Sequence, residues 1–91
     1  MKQGVHIIIS GRVQGVFFRS FVKKTADRLG VAGWVRNLDD GTVEVSAQGE
    51  KEVLMDFIDY VKKGPLIAKV RDVDIQWSAV KEPLVQFRIK E

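Results

Sequence analysis

Two stretches of 3.6-residue hydrophobic periodicity, each set between stretches of twofold alternation, leave this chain few folds to choose from. In the first, Phe18, Phe21, Val22, Ala26 and Leu29 recur at helical spacing, with Ser20, Lys23, Lys24, Asp27 and Arg28 on the outer face and Gly30 as a left-handed stop. In the second, Val53, Leu54, Phe57, Ile58 and Val61 form one stripe. Glu50 and Glu52 at its start and Lys62 and Lys63 at its end complement the helix dipole, and Gly64-Pro65 ends it. Around the helices lie alternating segments. In "VHIIIS", Val5, Ile7 and Ile9 alternate with His6, Ile8 and Ser10. "GWVRNL" and "TVEVSAQ" are joined by "DDG", an Asp-Gly hairpin signal. Two final alternations run through Val73, Ile75 and Trp77, and through Val85, Phe87 and Ile89.

The order is βαββαβ. Short connections and the right-handed crossover rule fold it into two helices on one face of an antiparallel sheet, the α+β ferredoxin-like sandwich, with room after Gly64 for an extra edge strand. Glu44, Ser46 and Gln48 make the opposite sheet face polar and open to water. Hydrophobic residues are 45% and charged residues 30%, a balance that folds rather than stays disordered, and 91 residues read as one domain, 1–91. Phe18, Phe21, Trp34 and Trp77 are expected in the core.

Composition then removes function classes. With no cysteine there is no disulfide, thiolate nucleophile or thiolate-bound metal, and with His6 as the one histidine no metal site is expected. A lone His in an apolar run is read as a packed strand residue. Apolar runs such as "HIII" are far too short to cross a bilayer, and no secretory pattern is visible, so a cytoplasmic protein without a membrane partner is expected, with an extracellular site reached after processing as the alternative. The opening Met and short length suggest an undivided chain rather than a fragment. The net charge of +3 is too small to argue for nucleic acid. It is unevenly spread, however: residues 1–38 hold seven Lys/Arg against Asp27 alone, and residues 39–91 hold eight against eleven acids. A basic half suits an anion.

The segment "GRVQGVFFRS" shows where that anion would go. It runs from a strand into a helix, so backbone N–H groups converge at a helix N-terminus, which favours negative charge. Residues 11–18 offer no Ser, Thr, Asp or Asn as an N-cap, and Arg19 places a cation where the dipole disfavours one. An anion would satisfy the donors and neutralise Arg19 together. Neither the triphosphate pattern Gly-Lys-Ser/Thr nor G-x-G-x-x-G is present, so a bound nucleotide is not expected.

"GRVQGVFFR", followed by "ADRLGVAGWVRNLDDGTVEV" and by "MDFIDYVKKGPLIAKVRDV", closely resembles the acylphosphatase family over essentially the whole chain. The resemblance implies an enzyme that hydrolyses acyl phosphates to carboxylate and inorganic phosphate without metal or cofactor. By position, Arg19 matches the family's phosphate-binding arginine and Asn37 its water-positioning asparagine. The amides of Val13, Gln14, Gly15, Val16, Phe17 and Phe18 match its phosphate cradle, a site for inorganic phosphate or sulfate as well. The motif position between Val16 and Phe18 varies in such proteins and here holds Phe17. Each residue also has a plainer reading: Arg19 as an exposed helix residue, Asn37 as a residue that favours the bend before "DDG", and Arg12 as either a charge behind the site or a surface residue. Two other functions compete. RNA-recognition domains share the strand order, but their base-stacking aromatics are missing from "TVEVSAQ" and from the first strand, so no nucleic-acid partner is expected. A non-catalytic anion-sensing module, like a domain of a larger maturation protein, is the second.

Overall fold

The protein was analysed as a computed structural model that describes residues 2–90. Five strands and two helices alternate in the order β1 (Lys2–Arg12), α1 (Phe18–Leu29), β2 (Ala32–Asn37), β3 (Val43–Glu50), α2 (Lys51–Lys63), β4 (Lys69–Ala79) and β5 (Phe87–Ile89). They form one sheet in the order β4-β1-β3-β2-β5 with both helices packed against it. This is the ferredoxin-like arrangement, extended by an edge strand.

That edge strand departs from expectation. β1, β2, β3 and β4 pair antiparallel, but β5 lies parallel to β2, so the sheet is mixed. β4 ends and β5 begins at the same end of the sheet, and residues 80–86 cross that end from one edge to the other. They are held there by Gln48, whose Nε2 donates to the Glu82 carbonyl and whose Oε1 accepts from the Leu84 amide. Val85, expected within the last strand, falls before it and is almost fully exposed.

The core lies between sheet and helices. Ile7, Ile9, Val35, Val43, Val45 and Ala47 from the strands meet Val22, Ala26, Leu54, Phe57 and Val61 from the helices, all without solvent contact. Phe18 is buried and Phe21 is partly buried against the core, as expected. Gly11 explains how β1 runs past the stretch read from sequence. It sits at a register shift in the β1–β4 ladder with φ of 126°, and a Cβ there would stand 2.1 Å from the Lys69 carbonyl oxygen. Only glycine lets the strand kink so close to its neighbour.

Two expected core residues, Trp34 and Trp77, and His6, read as a packed strand residue, lie elsewhere. Trp34 shares the water-facing side of β2 with Arg36, because Val35 between them faces the helices. Its ring receives Lys90 Nζ at 4.2 Å and the Arg36 guanidinium at 5.3 Å. Trp77 pairs with the core residue Val5, but β4 is an edge strand and the ring stays 42% exposed. His6 also faces water rather than the core, with Nε2 2.6 Å from Glu44 Oε2.

Glu44 joins that open face together. Burial alone would raise its carboxyl pKa, but hydrogen bonds from His6 and Arg36, with the Arg36 charge beside them, hold it below the ordinary value. A carboxyl whose folded pKa is depressed adds stability above its unfolded pKa and loses it as pH falls through the folded value. Chemical unfolding as a function of pH should therefore show stability dropping as the solution is acidified below the ordinary value of 4.5. Glu44→Gln should lower neutral-pH stability by about 1–2 kcal/mol and flatten that acid limb. An unchanged acid limb in the variant would contradict this.

Candidate active site

The strand directions put three chain ends at one place. β1 and β2 are both antiparallel to β3, and β5 is parallel to β2, so all three strands finish at the same end of the sheet. Ile9, Val43 and Asn37 lie side by side across it. The chain leaves β1 there, passes through residues 13–17 and enters α1.

That loop is anchored at Val13, which is buried, and then takes two left-handed residues, Gly15 at φ 73° and Phe17 at φ 60°. Alternation of left-handed with ordinary conformations turns successive N–H groups to one side, making an anion-binding concavity. A Cβ on Gly15 would meet nothing within 4 Å, so it is the φ angle rather than space that favours glycine there. Phe17 is the α1 N-cap. Its side chain cannot accept a hydrogen bond, and the first turn holds no acidic residue. The amides at the helix start are left without a side-chain acceptor.

Arg19, in that first turn, and Asn37, at the end of β2, line one cleft of about 320 Å³ with Val13, Gly15, Phe17, Phe18, Ser20 and Ile89. Asn37 shares the helix-facing side of β2 with Val35, which aims it under the start of α1. Among the described residues, its Oδ1 is the buried side-chain atom with no hydrogen-bond partner. Leaving such an acceptor unmet costs about 1–3 kcal/mol. Among the described residues, Arg19 is the one cation that lines the cleft, and no carboxylate lines it. Among the described residues no group of three or more His, Cys, Asp or Glu gathers anywhere.

Of the residues expected at the site, Val13, Gly15, Phe17, Phe18, Arg19 and Asn37 therefore come together. Val16 turns its side chain against the core, and Arg12 lies exposed outside the lining. Gln14 points away from the cleft. Its Nε2 donates to the Leu38 carbonyl at 2.8 Å and to the Thr42 carbonyl at 2.9 Å, the two ends of the β2–β3 connection. The same connection is closed by the Leu38 amide on the Thr42 carbonyl, and Asp40 accepts from the Thr42 hydroxyl and amide, which lowers its pKa. Gln14 thus fastens the loop to the segment that begins immediately after Asn37. Ser20 and Ile89 were not anticipated. Ser20 had been assigned to the outer helix face, and Ile89 reaches the cleft only because β5 lies beside β2.

Comparison with known proteins agrees with this architecture. The sequence model of the family described as Acylphosphatase matches residues 5–89. An acylphosphatase of Dehalococcoides mccartyi is 44% identical over 84 residues, 91% of this chain and 92% of the relative. The crystal structure of acylphosphatase from Bacillus subtilis superposes with a TM-score of 0.95 at 44% identity, covering all of both chains. Full-length HypF, in a structure described as phosphate- and nucleotide-bound, matches with a TM-score of 0.88 at 28% identity, all of this chain against 12% of that one.

The pair of hydrogen bonds from Gln14 should be measurable apart from any activity. Gln14→Ala should lower stability by about 1–2 kcal/mol and speed amide hydrogen exchange at residues 13–17 and 38–42 together. Faster exchange confined to one of the two segments would contradict a link between them.

Proposed function

Because the chain belongs to the acylphosphatase family and hydrolyses acyl phosphates to a carboxylate and inorganic phosphate, we propose that Arg19 and Asn37 carry that reaction in the cleft at the start of α1. The observation behind it is their convergence, from separate elements, on one cleft beside uncapped helix amides.

The amides of residues 13–18 and the Arg19 guanidinium hold the phosphoryl oxygens. The guanidinium contacts two oxygens at once and stabilises the charge carried by the equatorial oxygens as the group transfers. The Asn37 carboxamide does not take up a proton near neutral pH, so it does not act as a general base. Its Oδ1 accepts a hydrogen bond from water and its Nδ2 donates to a phosphoryl oxygen, which aims the water opposite the leaving group. The buried, unpartnered Oδ1 supports that role. Water oxygen forms a new bond to phosphorus as the bond from phosphorus to the acyl oxygen breaks. The bonding pair leaves with the carboxylate, a weak base that needs no general acid. One water proton passes to a phosphoryl oxygen, giving dihydrogen phosphate.

A donor set of amides, guanidinium and carboxamide suits an anion rather than a cation, so the reaction is assigned to these groups without metal or cofactor. Inorganic phosphate or sulfate is assigned to the same cradle. No helix among the described residues is long and apolar enough to cross a membrane. A cytoplasmic location, residues 1–91 acting as one domain and the lack of a nucleic-acid partner complete the proposal. The last is supported by β1 and β3, whose open faces carry no Phe, Tyr or Trp, and by His6, the imidazole there, being bonded to Glu44.

Arg19→Ala and Asn37→Ala should each lower kcat/KM for acetyl phosphate by at least about 100- to 1000-fold while the proteins remain folded by circular dichroism. Arg19→Lys should also be poor, since a point charge lacks the planar fork. Wild-type turnover in either alanine variant would remove that residue from the mechanism.

A further inference from the structure

Phe17 is an anomaly that phosphate binding does not explain. Among the described residues it is the one non-glycine with positive φ, and its side chain is 77% exposed. A left-handed backbone disfavours a bulky residue and water disfavours an exposed ring, so glycine would suit this position better on both counts. The amide of residue 17 would point the same way in glycine. What the free protein gains nothing from is the ring itself.

The cleft indicates a use for it. Its polar groups, Gly15, Arg19, Ser20 and Asn37, share it with four apolar residues. Two of those, Val13 and Phe18, are each 1% exposed and can offer a ligand almost nothing. Accessible apolar surface at the cleft therefore comes from Phe17 at the helix start and from partly buried Ile89 on β5. Once Arg19 has taken the phosphoryl group, the lining holds no second cation among the described residues for a charged acyl chain.

We propose that Phe17 and Ile89 form the acyl-group subsite, so that the enzyme selects acyl phosphates with a neutral, apolar, ring-sized acyl group over acetyl phosphate. This rests on the phosphoryl group lying between Arg19 and Asn37. The ring of Phe17 then covers the acyl group as it enters, and its own exposed surface is buried in the same event.

The test compares kcat/KM for benzoyl phosphate with that for acetyl phosphate. Taking the ratio in each protein cancels the difference in intrinsic reactivity and any general disturbance of the loop. In Phe17→Ala the benzoyl-to-acetyl ratio should fall about fivefold to tenfold. Phe17→Tyr keeps the ring and should hold the ratio within about twofold, and Ile89→Ala should lower it in the same direction as Phe17→Ala. An unchanged ratio in Phe17→Ala, or an equal fall in Phe17→Tyr, would overturn the proposal. Failure of the phosphoryl placement would show separately, as wild-type turnover of acetyl phosphate by Arg19→Ala or Asn37→Ala.

Discussion

The start of α1 carries amide N–H groups that no side chain caps, since Phe17 occupies the capping position and no acidic residue follows in the first turn. In an ordinary helix such donors are met by Ser, Thr, Asp or Asn, a substitution worth about 1 kcal/mol. Here Arg19 adds a cation to the same end, against the dipole. An oxyanion reverses both penalties at once. The rest of the fold can be understood as holding this unsatisfied end in register with a second polar group on the sheet.

Three features do the holding. Strand directions bring the ends of β1, β2 and β5 to one side of the sheet. The kink at Gly11 directs β1 into the loop against β4, at a spacing no side chain would permit. Gln14 bridges the loop to the carbonyls of Leu38 and Thr42, so the amide cradle and Asn37 are tied through one side chain. Positioning of this kind suits a reaction that asks the protein for geometry and charge rather than for a proton carrier.

Much of this was legible in the residues. Helical periodicity located both helices, and twofold alternation with the Asp-Gly signal located the central hairpin. The missing N-cap and the odd placement of Arg19 were visible from residue types alone, whereas the partnership of Arg19 with Asn37 came from resemblance to a family. The losses have physical causes. Three-residue β5 is too short to announce its direction, so Ile89 could not be placed beside β2. Trp34 was assigned to the core and His6 read as packed by residue type although their alternation pointed outward, and cation and carboxylate partners make the outer face acceptable for them. Gln14 bonds to backbone carbonyls, which leave no trace in side-chain chemistry.

The central claim is that a phosphoryl group sits on the helix-start amides and Arg19, facing Asn37. Titration of the 15N-labelled protein with inorganic phosphate, followed by amide chemical shifts, tests it directly. The account predicts shifts concentrated at the amides of residues 13–19 and the Asn37 side chain, largely lost in Arg19→Ala. Shifts centred on the open sheet face around Trp34 and Lys90, or a response that Arg19→Ala leaves intact, would contradict it.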